Sequence, residues 1–396
     1  MTSFSTSRRT RRALPALLAS SVLALGLAGC ATAEPAADAD TPAAVEPALT
    51  IVASTTHTAE FAERVAGELA EVTALIQPNQ STHSFDPTAA DLQALAAADV
   101  LVINGAGLEE WLDDAIASSG FAGETVDASE QVGLIEFAAE DAHGHEGEDA
   151  HSEDAHAHEG EDPHAHEGGD HAHEGGDHAH EEDVAAASTE EEPHSEGDDH
   201  DHGHDGGDPH IWTSASNAAS MVQAIADGLA AADADNAETY EANAAEYIAE
   251  LEQLDTWITE SISSVDPAER TLVTNHEAFG YFVDAYDVTY VGAIIPSFDD
   301  NAEVSAADID SLVDRVRDAG ATAVFSETTL SPAAAETIAS EAGVQVFSGE
   351  DGLYGDSLGP AGSPGETYIG SMIHNVTVLV TAWGGEIAPV PADLAE

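Results

Sequence analysis

Three histidines occupy the same kind of position in this chain, where a strand-like run gives way to a helix-like one. His83 lies in Ser81-Thr82-His83-Ser84-Phe85-Asp86-Pro87, His210 in Asp208-Pro209-His210-Ile211-Trp212, and His276 in Val273-Thr274-Asn275-His276-Glu277-Ala278-Phe279. In open α/β sheets, ligands bind beyond the carboxyl ends of the strands. Imidazoles from three such turns are therefore expected to converge on one ion, and imidazole is a good donor to Zn²⁺. The fourth donor is expected to be an oxygen. Gly352-Leu353-Tyr354-Gly355-Asp356-Ser357-Leu358-Gly359 puts Asp356 in a glycine-flanked loop after another strand. Three neutral imidazoles and one carboxylate suit tetrahedral zinc, whereas Mn²⁺ favours more oxygen and higher coordination. Glu327, at a strand end, is expected to stand behind this set and hold an imidazole N–H. His57 is expected either to do likewise or to lie on the surface, and His374, in the last helix, reads as structural. A zinc hydrolase would keep an open coordination position and a general base. No His-Glu-x-x-His occurs, and Glu277 beside His276 is the only adjacent acid, so the chemistry read here is capture, not catalysis.

The elements that must position these residues alternate. Strands are predicted over Leu49–Ser54, Val72–Ile76 and Val100–Ile103, with helices over Ala59–Leu69, Thr88–Ala97 (Asp86 as its candidate cap) and Leu108–Ala117. A helix over Asn217–Ala231 follows. A long helical period then runs from Asn236 to about Ser263, with Tyr240, Ala244, Tyr247, Leu251, Leu254, Ile258 and Ile262 on one face and Pro267 as its stop. A second alternating block holds strands over Thr271–Thr274, Val288–Val291, Ala321–Phe325 and Val344–Phe347 and helices over Phe279–Tyr286, Ala306–Ala319, Pro332–Ala342 and Tyr368–Ala382. Strands alternating with helices argue for parallel sheets. The fold class is α/β: two parallel-sheet lobes joined by one long rigid helix, with the metal site in the cleft between them. The expected boundaries are 48–235 for the first lobe, 236–264 for the linking helix and 265–396 for the second lobe.

The pattern collapses over 140–207 into His, Asp, Glu, Gly and Ala. Of the 20 histidines all but five lie in this stretch, and a seven-residue repeat runs His164-Ala165-His166-Glu167-Gly168-Gly169-Asp170 and then from His171 to Asp177. Such a composition cannot bury enough apolar surface to offset chain entropy, so it is read as a disordered insertion within the first lobe. His164, His166, His171, His173, His178 and His180 offer weak auxiliary metal sites, which would raise the local ion concentration near the cleft.

Charge narrows the partners. The chain has 396 residues, 77 Asp plus Glu, 8 Lys plus Arg and a formal net charge of −69. It has no lysine, and four of its arginines sit in the first dozen positions. Nucleic acid and anionic lipid headgroups need basic patches, so neither is expected as a partner. The single cysteine, Cys30, excludes an intrachain disulfide. It closes Leu27-Ala28-Gly29-Cys30 after a basic stretch and a short apolar run, the pattern of an export signal. That sequence resembles a bacterial lipobox. Residues 1–29 are therefore expected to be a lipoprotein signal peptide and 30–47 a flexible tether, with lipid on Cys30 holding the protein to the outer face of the cell membrane.

Taken in order, the segment around His83, Asn104-Gly105-Ala106-Gly107-Leu108-Glu109-Glu110-Trp111-Leu112, the segments around His210 and His276, and Tyr354-Gly355-Asp356-Ser357-Leu358-Gly359 resemble the zinc/manganese substrate-binding lipoproteins of bacterial metal ABC transporters, a group that includes the adhesin lipoproteins. The resemblance covers nearly all of 49–386 outside the His-rich tract. It implies one metal in the cleft, with first-lobe ligands at His83 and His210 and second-lobe ligands at His276 and Asp356. It also implies an ABC permease and ATPase as partners, a monomer, and Zn²⁺ as cargo rather than cofactor. Manganese-type members usually carry Glu where this chain has His276, and His-rich insertions belong mainly to the zinc branch. The alternatives are a manganese receptor of the same family and an adhesin or zinc-buffering surface lipoprotein with no transporter partner.

Overall fold

The computed structural model describes residues 49–135 and 207–395. The leader, Cys30, the tether and the His-rich insertion up to residue 206 lie outside the described residues.

The first lobe is built on one parallel sheet. Its strands β1 (Leu49–Ala53), β2 (Ala70–Ala74), β3 (Val100–Ile103) and β4 (Glu124–Asp127) run in the order β2-β1-β3-β4. β1 and β3 are almost continuously apolar because both sheet faces are covered. β4 has no such signal: of Glu-Thr-Val-Asp only Val126 is buried. It forms because its backbone completes the ladder beside β3, and sequence pattern alone passes over it.

Helix α1 (Thr56–Ala66) starts on a reciprocal capping box between Thr55 and Thr58. In α2 (Ala89–Ala97) the cap is Thr88, boxed with Asp91, and not Asp86. A cap must sit directly before the first helical turn for its side-chain oxygen to reach the N2 and N3 amides, and Asp86 is two residues too early. Helix α3 (Leu112–Ser119) stops at Gly120, which takes the left-handed conformation (φ 72°).

Helices α4 (Ala215–Ala232) and α5 (Ala237–Ser263) follow. The 27 residues of α5 span roughly 40 Å at about 1.5 Å per residue. It ends at Ser263, and Pro267 opens a separate short turn rather than stopping it. One stripe of α5, including Tyr240, Tyr247, Leu251, Leu254 and Trp257, is buried against α1 and α4 and against helices of the second lobe.

The second lobe comprises parallel strands β5 (Thr271–Thr274) and β6 (Thr289–Ala293), parallel strands β7 (Ala323–Phe325) and β8 (Gln345–Phe347), and helices α6 (Gly280–Tyr286), α7 (Ala306–Asp318), α8 (Ala333–Ala342) and α9 (Tyr368–Ala382). β5 and β7 lie side by side without a ladder of their own. Where a ladder would continue, Asn275 and Glu327 trade bonds: the Asn275 N–H donates to Glu327 Oε1 (3.1 Å) and the Glu327 N–H donates to Asn275 Oδ1 (2.7 Å).

Length and composition allow two domains with separate cores. The structure instead has one main core that runs through both lobes, with Phe61, Trp212, Tyr247, Trp257, Phe282, Tyr368 and Val376 in a single cluster. Each lobe keeps a smaller apolar cluster of its own, around Leu75, Leu95 and Leu101 in the first and Leu312, Val324 and Ile338 in the second. A wide hinge would expose the shared core, so the fold favours small displacements of loops over large separation of lobes.

The two flanks of the insertion meet. The Asp208 N–H donates to Ile135 O (2.9 Å). Tyr281 Oη donates to Asp208 O (2.8 Å) and accepts from the Ile135 N–H (3.3 Å).

Candidate metal centre

In the first sheet the strand order reverses between β1 and β3, and the chain leaves these strands at Ser54 and Asn104. A crevice opens at such a switch point, and the turns that follow are tied together there. Glu109 is buried beneath them and accepts from Ser54 Oγ (2.5 Å), the Asn104 N–H (2.7 Å) and the Gly105 N–H (3.2 Å). Burial pushes its carboxyl up to about 7, against those three donors. Asn104 Nδ2 then donates to Pro209 O (3.0 Å), which sets the segment carrying His210. Trp111, from the same stretch, steadies the His83 loop: its Nε1–H donates to Thr82 O (3.2 Å) and its ring meets Phe85 edge-on. This network explains why the run from Asn104 to Leu112 matters although none of its residues reaches the centre.

The structure brings His83, His210, His276 and Asp356 into one cluster whose candidate ligand atoms all lie within 4.8 Å of one another. His83 Nε2 is 3.3 Å from His210 Nε2, His276 Nε2 is 3.2 Å from Asp356 Oδ1, and His210 Nε2 is 3.5 Å from the same oxygen. His83 Nε2 lies 3.8 Å from Asp356 Oδ2. His210, His276 and Asp356 are fully buried, and only His83 keeps a little exposure.

Two carboxylates orient the imidazoles from behind. Asp208 Oδ1 is 2.8 Å from His210 Nδ1 and also accepts the His210 N–H (2.9 Å). Glu327 Oε2 is 2.8 Å from His276 Nδ1, while its Oε1 accepts the His276 N–H (3.0 Å). Asp208 takes the His210 Nδ1–H, which leaves the His210 Nε2 lone pair facing the centre, whereas Glu327 Oε2 stands beside His276 Nδ1 at ion-pair distance without the alignment of a hydrogen bond. Glu327, just past the end of β7, is thus placed beside His276. Sequence pattern alone does not single out Asp208, although a carboxylate two residues before a candidate ligand is a visible signal. Asp208→Asn is expected to weaken metal binding by roughly 10–100-fold, measured by chelator competition on the full chain; wild-type affinity would remove Asp208 from this role.

His57 is neither at the surface nor behind a ligand. It is buried in the first turn of α1 and its ring stacks on Trp212 at 4.8 Å between centroids. Its Nδ1 has no hydrogen-bond partner, and burial drives its pKa down to about 3, so it is neutral. His374 Nε2–H donates to Gly352 O (2.9 Å), and the ring lies edge-on to Tyr354, at the root of the Asp356 loop. Cys30 and the tract histidines named above are outside the described residues.

The electrostatics suit a cation. Burial lowers His83 to about 4, so it is a neutral donor. Burial would lower His276 too, but Asp356 and Glu327 at its two ring nitrogens outweigh it and hold the pKa well above the ordinary value. Burial would raise Asp356; His276 first, then His83 and His210, hold it well below the usual carboxylate range instead. Neither oxygen of Asp356 is held by a hydroxyl, amide or backbone N–H. A fully buried carboxylate with no such donor, faced by three imidazoles, is arranged for an ion.

Comparison with known proteins agrees with this geometry. The sequence profile of the family described as zinc-uptake complex component A, periplasmic, matches residues 51–167 and 167–382. The manganese-binding lipoprotein MntA of Halalkalibacterium halodurans is 29% identical over 360 residues, covering 91% of this chain and 95% of that protein. The zinc-binding lipoprotein AdcA of Streptococcus pneumoniae is 28% identical over 391 residues; the match covers 96% of this chain but 63% of that longer protein. The fold is similar to that of the periplasmic zinc-binding protein TroA from Treponema pallidum, with a TM-score of 0.64 and 19% identity over 85% of this chain and 99% of that one. No helix among the described residues is long and apolar enough to cross a membrane. The chain belongs to the family of zinc-uptake complex component A: it is the extracytoplasmic metal-binding component of an ABC metal-uptake system, a solute-binding protein and not an enzyme.

Proposed function

We propose that this protein captures Zn²⁺ outside the cytoplasm and delivers it to an ABC permease and ATPase for high-affinity uptake, with His83, His210, His276 and Asp356 as the ligands. The observation that carries the zinc reading is the spacing of the donors. A tetrahedron drawn with bonds of about 2.0–2.1 Å has edges of about 3.3–3.4 Å; three of its six edges, at 3.3, 3.2 and 3.5 Å, lie close to that length, and His83 Nε2 stands somewhat farther, 3.8 Å, from Asp356 Oδ2. Three nitrogens and one carboxylate also supply less oxygen than Mn²⁺ favours.

Manganese is the second reading, and one observation favours it: both oxygens of Asp356 lack other hydrogen-bond partners, so a two-oxygen grip would raise the coordination number. Competitive titration with Zn²⁺ and Mn²⁺ decides between them. A site that prefers zinc by two orders of magnitude or more is expected; a site that holds manganese equally well would overturn the reading.

Lipid on Cys30 as the only membrane attachment, weak auxiliary sites at the tract histidines and a monomeric state complete the proposal. Growth of a deletion strain under a zinc chelator separates a transport receptor from an adhesin or buffer, because unimpaired uptake would count against transport.

A further inference from the structure

Asp356 belongs to the second lobe by sequence, yet its loop is fastened to both lobes. Before it, the attachments run to the second lobe. The Leu353 N–H donates to Ser326 O (2.9 Å), and Tyr354 exchanges two bonds with the Asn375 side chain (2.9 and 2.8 Å). From Gly355 onward the attachments run to the first lobe. Trp212 Nε1–H donates to Gly355 O (3.0 Å), the Asn79 N–H donates to Ser357 Oγ (2.7 Å), and the Leu358 N–H donates to Thr56 Oγ1 (2.9 Å). Ser357 Oγ passes its own hydrogen to Leu358 O (2.9 Å), so one hydroxyl bridges the His83 loop and the Asp356 loop. Gly355 is needed at the crossing point: a Cβ there would come within 2.6 Å of Glu327 Oε2, the oxygen that faces His276.

The carboxylate of Asp356 has no hydrogen-bond donor of its own apart from the facing imidazoles. Its orientation is therefore set by the backbone on either side, and that backbone is held by Thr56 and Ser357. We infer that Thr56 and Ser357 are positioning residues that moor the Asp356 loop to the first lobe, and that this mooring makes the site prefer zinc over manganese by holding one oxygen, Oδ1, at tetrahedral distance from His210 and His276. The inference rests on the zinc reading above. A carboxylate free to turn offers both oxygens, which suits an ion of higher coordination number and costs a tetrahedral one its fixed vertex. Mechanically the ligand set then divides three against one. His83 and His210 stand on the first lobe, His276, with Glu327 behind it, stands on the second, and Asp356 is moored from its C-terminal side to the first.

The test compares the full-length chain with Thr56→Val, Thr56→Ser and Ser357→Ala. For each, the tightest site is titrated with Zn²⁺ and with Mn²⁺ against a competing chelator, and the thermal midpoint of the metal-free protein is recorded. Valine matches threonine in shape and lacks the hydroxyl, so T56V is expected to lower zinc affinity about 10-fold, the lower end for groups that orient ligands. Manganese affinity should change by less than about 3-fold, so that the preference narrows. T56S should restore the wild-type ratio, and S357A should act in the same direction as T56V. Wild-type zinc affinity in T56V would overturn the inference. So would equal weakening of both ions that tracks a lower thermal midpoint, which is what a purely structural role produces. Failure of the wild type to prefer zinc would instead remove the cargo reading. The mooring would then stand or fall on whether T56V, but not T56S, changes affinity for the ion the wild type holds.

Discussion

Replacing His276 with alanine is expected to lower zinc affinity by two to three orders of magnitude. Tight zinc sites bind with about 10–16 kcal/mol, so one ligand in four carries about 2.5–4 kcal/mol, and each 1.4 kcal/mol is tenfold. The same substitution is expected to destabilise the metal-free protein. His276 lies between Asp356 and Glu327, and all three side chains are fully buried. Removing the imidazole leaves two buried carboxylates facing each other without a cation, and breaking a buried pair in this way costs about 3–5 kcal/mol. Chelator competition reads the first effect and urea unfolding of the metal-free protein reads the second. His276→Gln, which retains bulk and a hydrogen-bond donor, separates them: it should recover part of the stability and little of the affinity. Near-normal zinc binding in both variants would mean that His276 is not a ligand.

The second expectation concerns protons. His276 is held well above its ordinary pKa by its two carboxylates, so near neutral pH the empty site carries a proton that an entering ion must displace. His83 and His57, lowered to about 4 and about 3, are already neutral and release nothing in this range. Capture of the first equivalent of zinc at pH 7 is thus expected to release close to one proton from the cleft, read by calorimetry in buffers of different ionisation enthalpy. Affinity should fall about tenfold for each unit of pH below the His276 pKa. Glu327→Gln removes one of the two carboxylates and should reduce both the proton released and the slope. Affinity that stays flat between pH 8 and pH 6 would contradict the arrangement.

The same pair sets a stability window for the metal-free chain, with opposite signs at its two ends. The raised His276 contributes stability that is complete below its ordinary value of 6.5 and is lost as pH climbs through its folded value. The depressed Asp356 contributes stability that is complete above its ordinary value of 3.8 and is lost as pH falls through its folded value. Both contributions are present in full between those two ordinary values.

Cooperation among distant residues explains which parts of the centre sequence reasoning misses. Asp208 is one carboxylate among 77 acids. What distinguishes it is that folding sets it 2.8 Å from an imidazole nitrogen. The cap of α2 is ambiguous in sequence for a different reason: Asp86 and Thr88 are both good caps by type, and only the start of the helix chooses between them. His57 follows the first strand as the candidate ligands follow theirs, yet it faces Trp212, because α1 begins at Thr56 and turns the ring inward under the site.

Local chemistry, by contrast, is written along the chain. Alternating apolar runs and helical periods are properties of neighbouring residues, and they specify parallel α/β lobes and a long α5. The residue types in five short segments suffice to nominate three imidazoles and a carboxylate as one group. Tertiary structure alone decides that the apolar core is shared between lobes, that Asp208 stands behind His210, and that the Asp356 loop is anchored through Leu358 on Thr56, 302 positions from Leu358. The physical reason is range. Propensity and periodicity act over a few residues, whereas burial, imidazole orientation and the placement of a carboxylate depend on contacts that exist only after distant segments have packed.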